Sequence, residues 1–116
     1  MPWRAIPNNT DVDLVGPIGD TLELAISSTD TVYTWTGWTW TGQVRATPDA
    51  ASTVGTFSFT DASTSTVLAL TATVASTTTD DWSTGDTLVY AIQGTKSGKV
   101  ITFVEGKVIP KASIVR

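Results

Sequence analysis

Along most of the chain, apolar and polar side chains alternate with a period of two, as in strands that bury one face. From Asp20 to Ile26, Leu22, Leu24 and Ile26 fall on one side and Thr21, Glu23 and Ala25 on the other, with Gly16-Pro17 before and Ser27 to Asp30 after. The run from Thr31 to Thr47 puts Trp38, Trp40, Gly42, Val44 and Ala46 on one parity and Thr39, Thr41, Gln43 and Arg45 on the other. Gly37 breaks this run and leaves Tyr33 and Trp35 on a shorter strand or extended turn, and Pro48-Asp49-Ala50 reads as the turn that follows. Val54 to Thr60 and Thr66 to Val74 read as two further strands around the polar tip Asp61 to Ser65. Phe57 and Phe59 share a parity in the first, and Leu68, Leu70, Ala72 and Val74 oppose Val67, Ala69, Thr71 and Thr73 in the second.

At 76–85 the sequence STTTDDWSTG combines a hydroxyl cap, acidic residues for a first turn and a closing glycine. This predicts one short helical turn near 77–84 that carries Trp82 inward. Asp86 to Ile92 and Lys99 to Glu105 flank Gly94 to Gly98, which predicts a hairpin with a loop of about five residues. Val108 to Val115 supplies a last strand, interrupted by Pro110. Residues 1–13 carry Pro2, Pro7, Asn8 and Asn9 with no sustained period and are expected to form an extended N-terminal arm, ahead of a single domain at 14–116. Seven or eight short strands with turn signals roughly every ten residues predict an all-β fold. The expected architecture is a two-sheet antiparallel sandwich, immunoglobulin-like or a related Greek key, with a small SH3-like barrel as the alternative.

Composition supports a folded, β-rich chain. The 116 residues fit one domain; 41% are hydrophobic, 16% are charged, and Thr and Ser make up more than a quarter. There is no Cys and no His, which excludes disulfide frameworks, thiol nucleophiles, His-dependent triads and Cys- or His-ligated metals. The net charge is -4 and the seven basic residues are scattered, which argues against a nucleic-acid groove. No apolar stretch approaches the roughly 20 residues of a membrane span, and the N-terminus lacks a signal-peptide core, so a soluble protein with no membrane partner is expected.

Five tryptophans are the most conspicuous candidates for function. Trp38 and Trp40 suit a sandwich core with Trp82 closing one end, whereas Trp35, of uncertain facing, is expected to be the exposed one and with Tyr33 could stack on a sugar. Trp3 and Ile6 make the arm adhesive, either against its own domain or on a neighbouring subunit. A two-carboxylate mechanism would need Glu23, Glu105 or the Asp residues, but most of these Asp residues lie where turns begin, and Asp80-Asp81 fits a first helical turn. Asp11 with Asp13, or Asp80 with Asp81, could supply two calcium ligands, but no Asp-x-Asp-x-Asp-Gly loop accompanies them. Gly94-Thr-Lys-Ser-Gly98 lacks the spacing and following helix of a phosphate loop. No catalytic, metal or cofactor residue is therefore assigned, and the chain is expected not to be an enzyme.

Three segments carry a resemblance: Gly19-Asp-Thr-Leu-Glu-Leu24, Thr36-Gly-Trp-Thr-Trp-Thr-Gly-Gln-Val-Arg45, and Gly85-Asp-Thr-Leu-Val-Tyr-Ala-Ile92 with Gly98-Lys-Val-Ile-Thr-Phe-Val-Glu-Gly-Lys-Val-Ile109. Together they resemble small β-sandwich virion proteins of tailed bacteriophages, in particular the N-terminal domain of upper baseplate proteins and related tail-fibre attachment domains. The resemblance implies a non-enzymatic virion protein of the tail or baseplate that attaches or positions fibre components and contacts other virion proteins and copies of itself in a symmetric assembly. Trp3, Ile6, Tyr33 and Trp35 are the expected interface residues. Upper baseplate proteins continue into a linker or stalk, whereas this chain stops at Arg116 after its last expected strand. Capsid decoration is therefore the rival expectation, and a carbohydrate-binding module is the second.

Overall fold

The computed structural model describes residues 3–8, 11–29 and 33–112, without the side chains of Arg4, Ile6, Pro7 and Asn8. Among the described residues, nine strands and one helical turn follow in order: β1 (Arg4–Asn8), β2 (Asp11–Pro17), β3 (Leu22–Ser28), β4 (Thr39–Arg45), β5 (Gly55–Thr56), β6 (Ser58–Asp61), β7 (Leu68–Val74), α1 (Ser76–Thr79), β8 (Leu88–Lys96) and β9 (Lys99–Lys111). They form a six-stranded sheet in the order β1-β2-β9-β8-β4-β5 and a three-stranded sheet in the order β3-β7-β6. The arrangement is an all-β sandwich and not a closed barrel. Its central strands follow the immunoglobulin plan, with β4, β8 and β9 in one sheet and β3, β7 and β6 in the other. Pairing is antiparallel except between β2 and β9, which run parallel from Leu14↔Val108 to Pro17↔Lys111.

The alternating strands bury the predicted faces. Leu22 and Leu24 of β3, Val44 of β4, and Leu68, Leu70, Ala72 and Val74 of β7 are all buried between the sheets. The stretch 54–60 is not one strand but two. Val54 and Phe57 donate backbone bonds to the Val44 and Gly42 carbonyls, and from Ser58 the chain pairs with β7 instead. Phe57, 4% exposed, fills the corner where the backbone crosses from one sheet to the other.

Two hairpin expectations change. The β8–β9 loop is two residues, Ser97-Gly98, both at positive φ (52° and 81°), because a type I′ turn matches the twist of its strands. Gly94 is therefore a strand residue, and it has no room for more: a Cβ there would lie 2.8–2.9 Å from the rings of Trp40, Phe103 and Trp38. Strand β9 then runs unbroken through Pro110, where β8 has already ended opposite Val108 and a missing N–H is tolerated. Within the stretch expected as an N-terminal arm, Arg4–Asn8 is a strand. Strand β1 pairs with β2 from Arg4↔Val15 to Asn8↔Asp11 and forms the outer edge of the larger sheet.

The helical turn is where the sequence places it, but it is capped differently. Ala75 is the N-cap with no side-chain hydrogen bond, no acidic residue occupies the first turn, and Asp80 follows at the C-cap. The anchor is Thr79, fully buried, whose hydroxyl donates to the Asp20 carbonyl at 2.8 Å and accepts from the Gly19 N–H at 3.1 Å. This ties the turn to the β2–β3 connection. Trp82 follows, buried as expected, with its indole N–H donating to the Val54 carbonyl at 3.0 Å.

Candidate interaction surface

The sandwich interior divides into two apolar clusters, and both consume residues that the sequence offers for binding. Trp3 is 8% exposed and meets Trp82 edge-on at 5.9 Å within the main core. Its indole N–H is buried without a hydrogen-bond partner among the described residues. The Ile6 backbone pairs with Asp13, while its side chain lies outside the described set.

Trp35 is the clearest correction: it is 2% exposed, not a surface platform. Its backbone N–H donates to the Ser65 carbonyl, and its ring lies 5.5 Å from Tyr33, 5.7 Å from Phe103 and 6.2 Å from Trp38. Leu68 and Leu70 complete that cluster, against which Tyr33 and Trp40 are half-buried. Lys96 closes over the loop by donating to the Thr34 and Thr36 carbonyls at 3.2 and 2.7 Å. Stacking on a sugar needs an accessible flat ring face, and Trp35 presents none.

The acidic side chains act locally. Asp61 accepts from the Ser63 N–H at 2.9 Å and from the Trp40 indole at 3.1 Å. Partial burial alone would raise its pKa, but the hydrogen bonds from Ser63 and Trp40 outweigh that effect and hold the carboxyl below its ordinary value. Asp86 accepts from the Ser83 N–H at 3.2 Å, and Asp13 from the Lys107 N–H at 3.1 Å. Glu23 and Glu105 stand on different sheets. Among the described residues, no three acidic side chains gather as a metal site would require.

A shallow hollow of about 700 Å³ lies on the outer face of the six-stranded sheet. Thr41, Gln43 and Arg45 of β4, Val89, Ala91 and Gln93 of β8, and Glu105 and Lys107 of β9 line it, with Asp11 of β2 and Pro48 also lining it. These are the parities opposite the core. Cross-strand register sets them in rows: Arg45, Val89 and Lys107 in one, and Gln43, Ala91 and Glu105 in the next. The small Val89 and Ala91 floor the hollow between longer polar side chains. The Arg45 guanidinium donates to the Ala50 carbonyl and to Gln43 Oε1, each at 2.7 Å.

Beneath this face, the Tyr90 hydroxyl donates to the Val12 carbonyl and joins β8 to β2. Burial, and then the negative charges of Asp13, Asp11 and Glu105, push the phenol pKa well above its ordinary value. Sequence reasoning places Thr41, Gln43 and Arg45 on the polar face of their strand but does not single out the hollow. The available signal was the shared odd parity of 41–45, 89–93 and 105–107, which becomes a surface only once β4, β8 and β9 are known to be neighbours. No protein-family model matches the chain, and a search of curated proteins returns no match.

Proposed function

We propose that this chain is a non-enzymatic structural subunit of a tailed-phage virion, placed in the tail or baseplate, where it attaches or positions fibre components. The observation that carries this reading is where the three resembling segments lie. Gly19 to Leu24 leads into β3, Thr36 to Arg45 covers β4, and 85–92 with 98–109 supply most of the β8–β9 hairpin. The resemblance therefore falls on central strands of the sandwich and on the short connections that lead into them. A rigid body whose aromatic residues are spent on its own interior, and whose outer sheet face is open and polar, suits a part held by neighbouring subunits. Its partners on this reading are other virion proteins and further copies of itself.

Immunogold electron microscopy of intact particles, with antibody raised against the isolated chain, tests the placement. Label at the tail end supports the proposal. Label over the head replaces it with capsid decoration, and unlabelled particles with accessible surfaces overturn both.

A further inference from the structure

We infer that the free edge of β9 between Val100 and Glu105 pairs with the same edge of a second copy of this chain, joining two six-stranded sheets across a two-fold axis at Thr102. Strand β2 covers β9 only from Val108 to Lys111, and among the described residues no strand pairs with β9 on that side ahead of it. The turn fixes which backbone groups are left over. A two-residue hairpin makes Lys96 and Lys99 a hydrogen-bonded pair, so Ile101 also faces β8, while Val100 and Thr102 turn their N–H and C=O groups outward. Beyond the bulge at Phe103, Val104 and Gly106 face β8 and Glu105 and Lys107 face outward, and the Lys107 N–H shows this by donating to the Asp13 carboxylate. Val100, Thr102 and Glu105 therefore present an unpaired edge, a template for strand addition. The same stretch carries Val100, 59% exposed and the most exposed of the large hydrophobic residues described, with the half-buried Ile101, Phe103 and Val104.

This edge closes on itself. Set antiparallel to a second copy, Thr102 meets the second copy's Thr102, Val100 meets its Glu105 and Glu105 meets its Val100, which makes about six backbone hydrogen bonds. Each contact away from the axis occurs twice, as two-fold symmetry requires. The bulge is present in both strands, so Ile101 lies opposite the Phe103-Val104 step of the other copy, apolar against apolar on the inner face. On the outer face the stem of Glu105 covers the exposed Val100 of the other copy. Charge agrees at the ends. The hairpin tip carries Lys96, which donates to the Thr34 and Thr36 carbonyls, and Lys99, which lies over the Tyr33 ring. The antiparallel register brings this tip to the far end of the other copy's edge, where Asp11, Asp13 and Glu105 outnumber Lys107. The tip also ends in time: Gly98 falls opposite Lys107, one residue before β2 takes the edge at Val108. For its biological setting, this inference rests on the structural-subunit reading.

Sedimentation velocity over a concentration series should show a reversible dimer. Val100→Glu sets two carboxylates opposite each other on both sides of the axis and should weaken self-association at least about tenfold. Adding Glu105→Lys to it sets opposite charges at the same places and should restore the dimer. Thr102→Cys tests the axis directly, because the chain has no Cys of its own and the paired Cα atoms stand about 5.5 Å apart, within disulfide reach. Under mild oxidation it should cross-link at least about tenfold faster than Val67→Cys, an exposed position that precedes β7 in the other sheet. A wild-type chain that stays monomeric overturns the inference. So does a dimer that Val100→Glu leaves intact, a double variant that stays weak, or a Thr102→Cys chain that cross-links no faster than the control. Thermal melts monitor folding, and the Thr102→Cys comparison decides alone if Val100→Glu unfolds. A dimer without virion label removes the virion placement alone, whereas virion label without a dimer removes this inference alone.

Discussion

Gly106 stands where the larger sheet is most tightly closed, and adding one methyl group there tests how β2 is held. Gly106 pairs with Tyr90, and a Cβ on it would overlap the Val12 carbonyl oxygen and lie 2.7 Å from the carbonyl carbon. The obstruction is backbone, so strand β2 must move. Forcing a methyl group into a filled space costs about 1–3 kcal/mol. The displaced Val12 carbonyl also loses the Tyr90 hydroxyl, a net loss of about 1 kcal/mol. Gly106→Ala should therefore destabilise the fold by about 3 kcal/mol, or about 12 °C in Tm for a domain of this size. Tyr90→Phe alone removes the bond and strands the carbonyl, for about 1.5 kcal/mol. Because Gly106→Ala already breaks that bond, the double variant should lose about 3 kcal/mol and not the sum of about 4.5. Urea unfolding followed by tryptophan fluorescence gives all three values. Additive losses, or a Gly106→Ala variant as stable as the wild type, would refute the claim that both residues act through the Val12 backbone.

Further expectations concern single groups. Trp82→Phe leaves the Val54 carbonyl without its donor, whereas Trp3→Phe deletes an indole N–H that has no partner, so Trp82→Phe should cost at least about 1 kcal/mol more in denaturant melts. A larger loss from Trp3→Phe would contradict this. Ser97 holds φ at 52° in the β8–β9 turn, and Ser97→Asn should raise stability by about 0.5 kcal/mol, read as a higher Tm. Above pH 10.0 the unfolded Tyr90 phenol ionises while the buried one stays protonated, so the unfolded state binds fewer protons and stability falls as pH rises. Melts across that range should show a shallower decline in Tyr90→Phe, and equal slopes would remove the assignment.

How far the fold could be read depended on whether parity stayed in phase. In β3, β4, β7 and β8 it does, and their buried faces follow directly from the alternation. In β9 it does not: Ile92 pairs with Val104 and Gln93 with Thr102, so Phe103 is an extra residue. Ile101 and Phe103, then Val104 and Val108, consequently reach the interior from opposite parities, which reads in sequence as two strands. Pairing of β1 and β2 with the rest of the sheet depends on β9, nearly a hundred residues later in the chain, and leaves no local trace. Trp35 lies in irregular backbone where no period fixes its direction, so its burial depends on Ser65, Leu68 and Phe103 closing around it. The hollow on the outer sheet face was hidden for a related reason: Asp11, Arg45, Glu105 and Lys107 come to line it only through the order of the strands.

The parallel pairing of β2 with β9 also determines how the molecule bears tension. A pull applied through the two ends of the chain first peels β1 from β2 one bond at a time, because they form an antiparallel hairpin at the sheet edge. The load then reaches β2 at its start and β9 at its end. These two strands run in the same direction, so the force acts along them and strains the bonds between Leu14–Pro17 and Val108–Lys111 together. Such a clamp resists force by shear and gives way all at once, and the Tyr90 hydroxyl on Val12 adds a lateral tie just ahead of it.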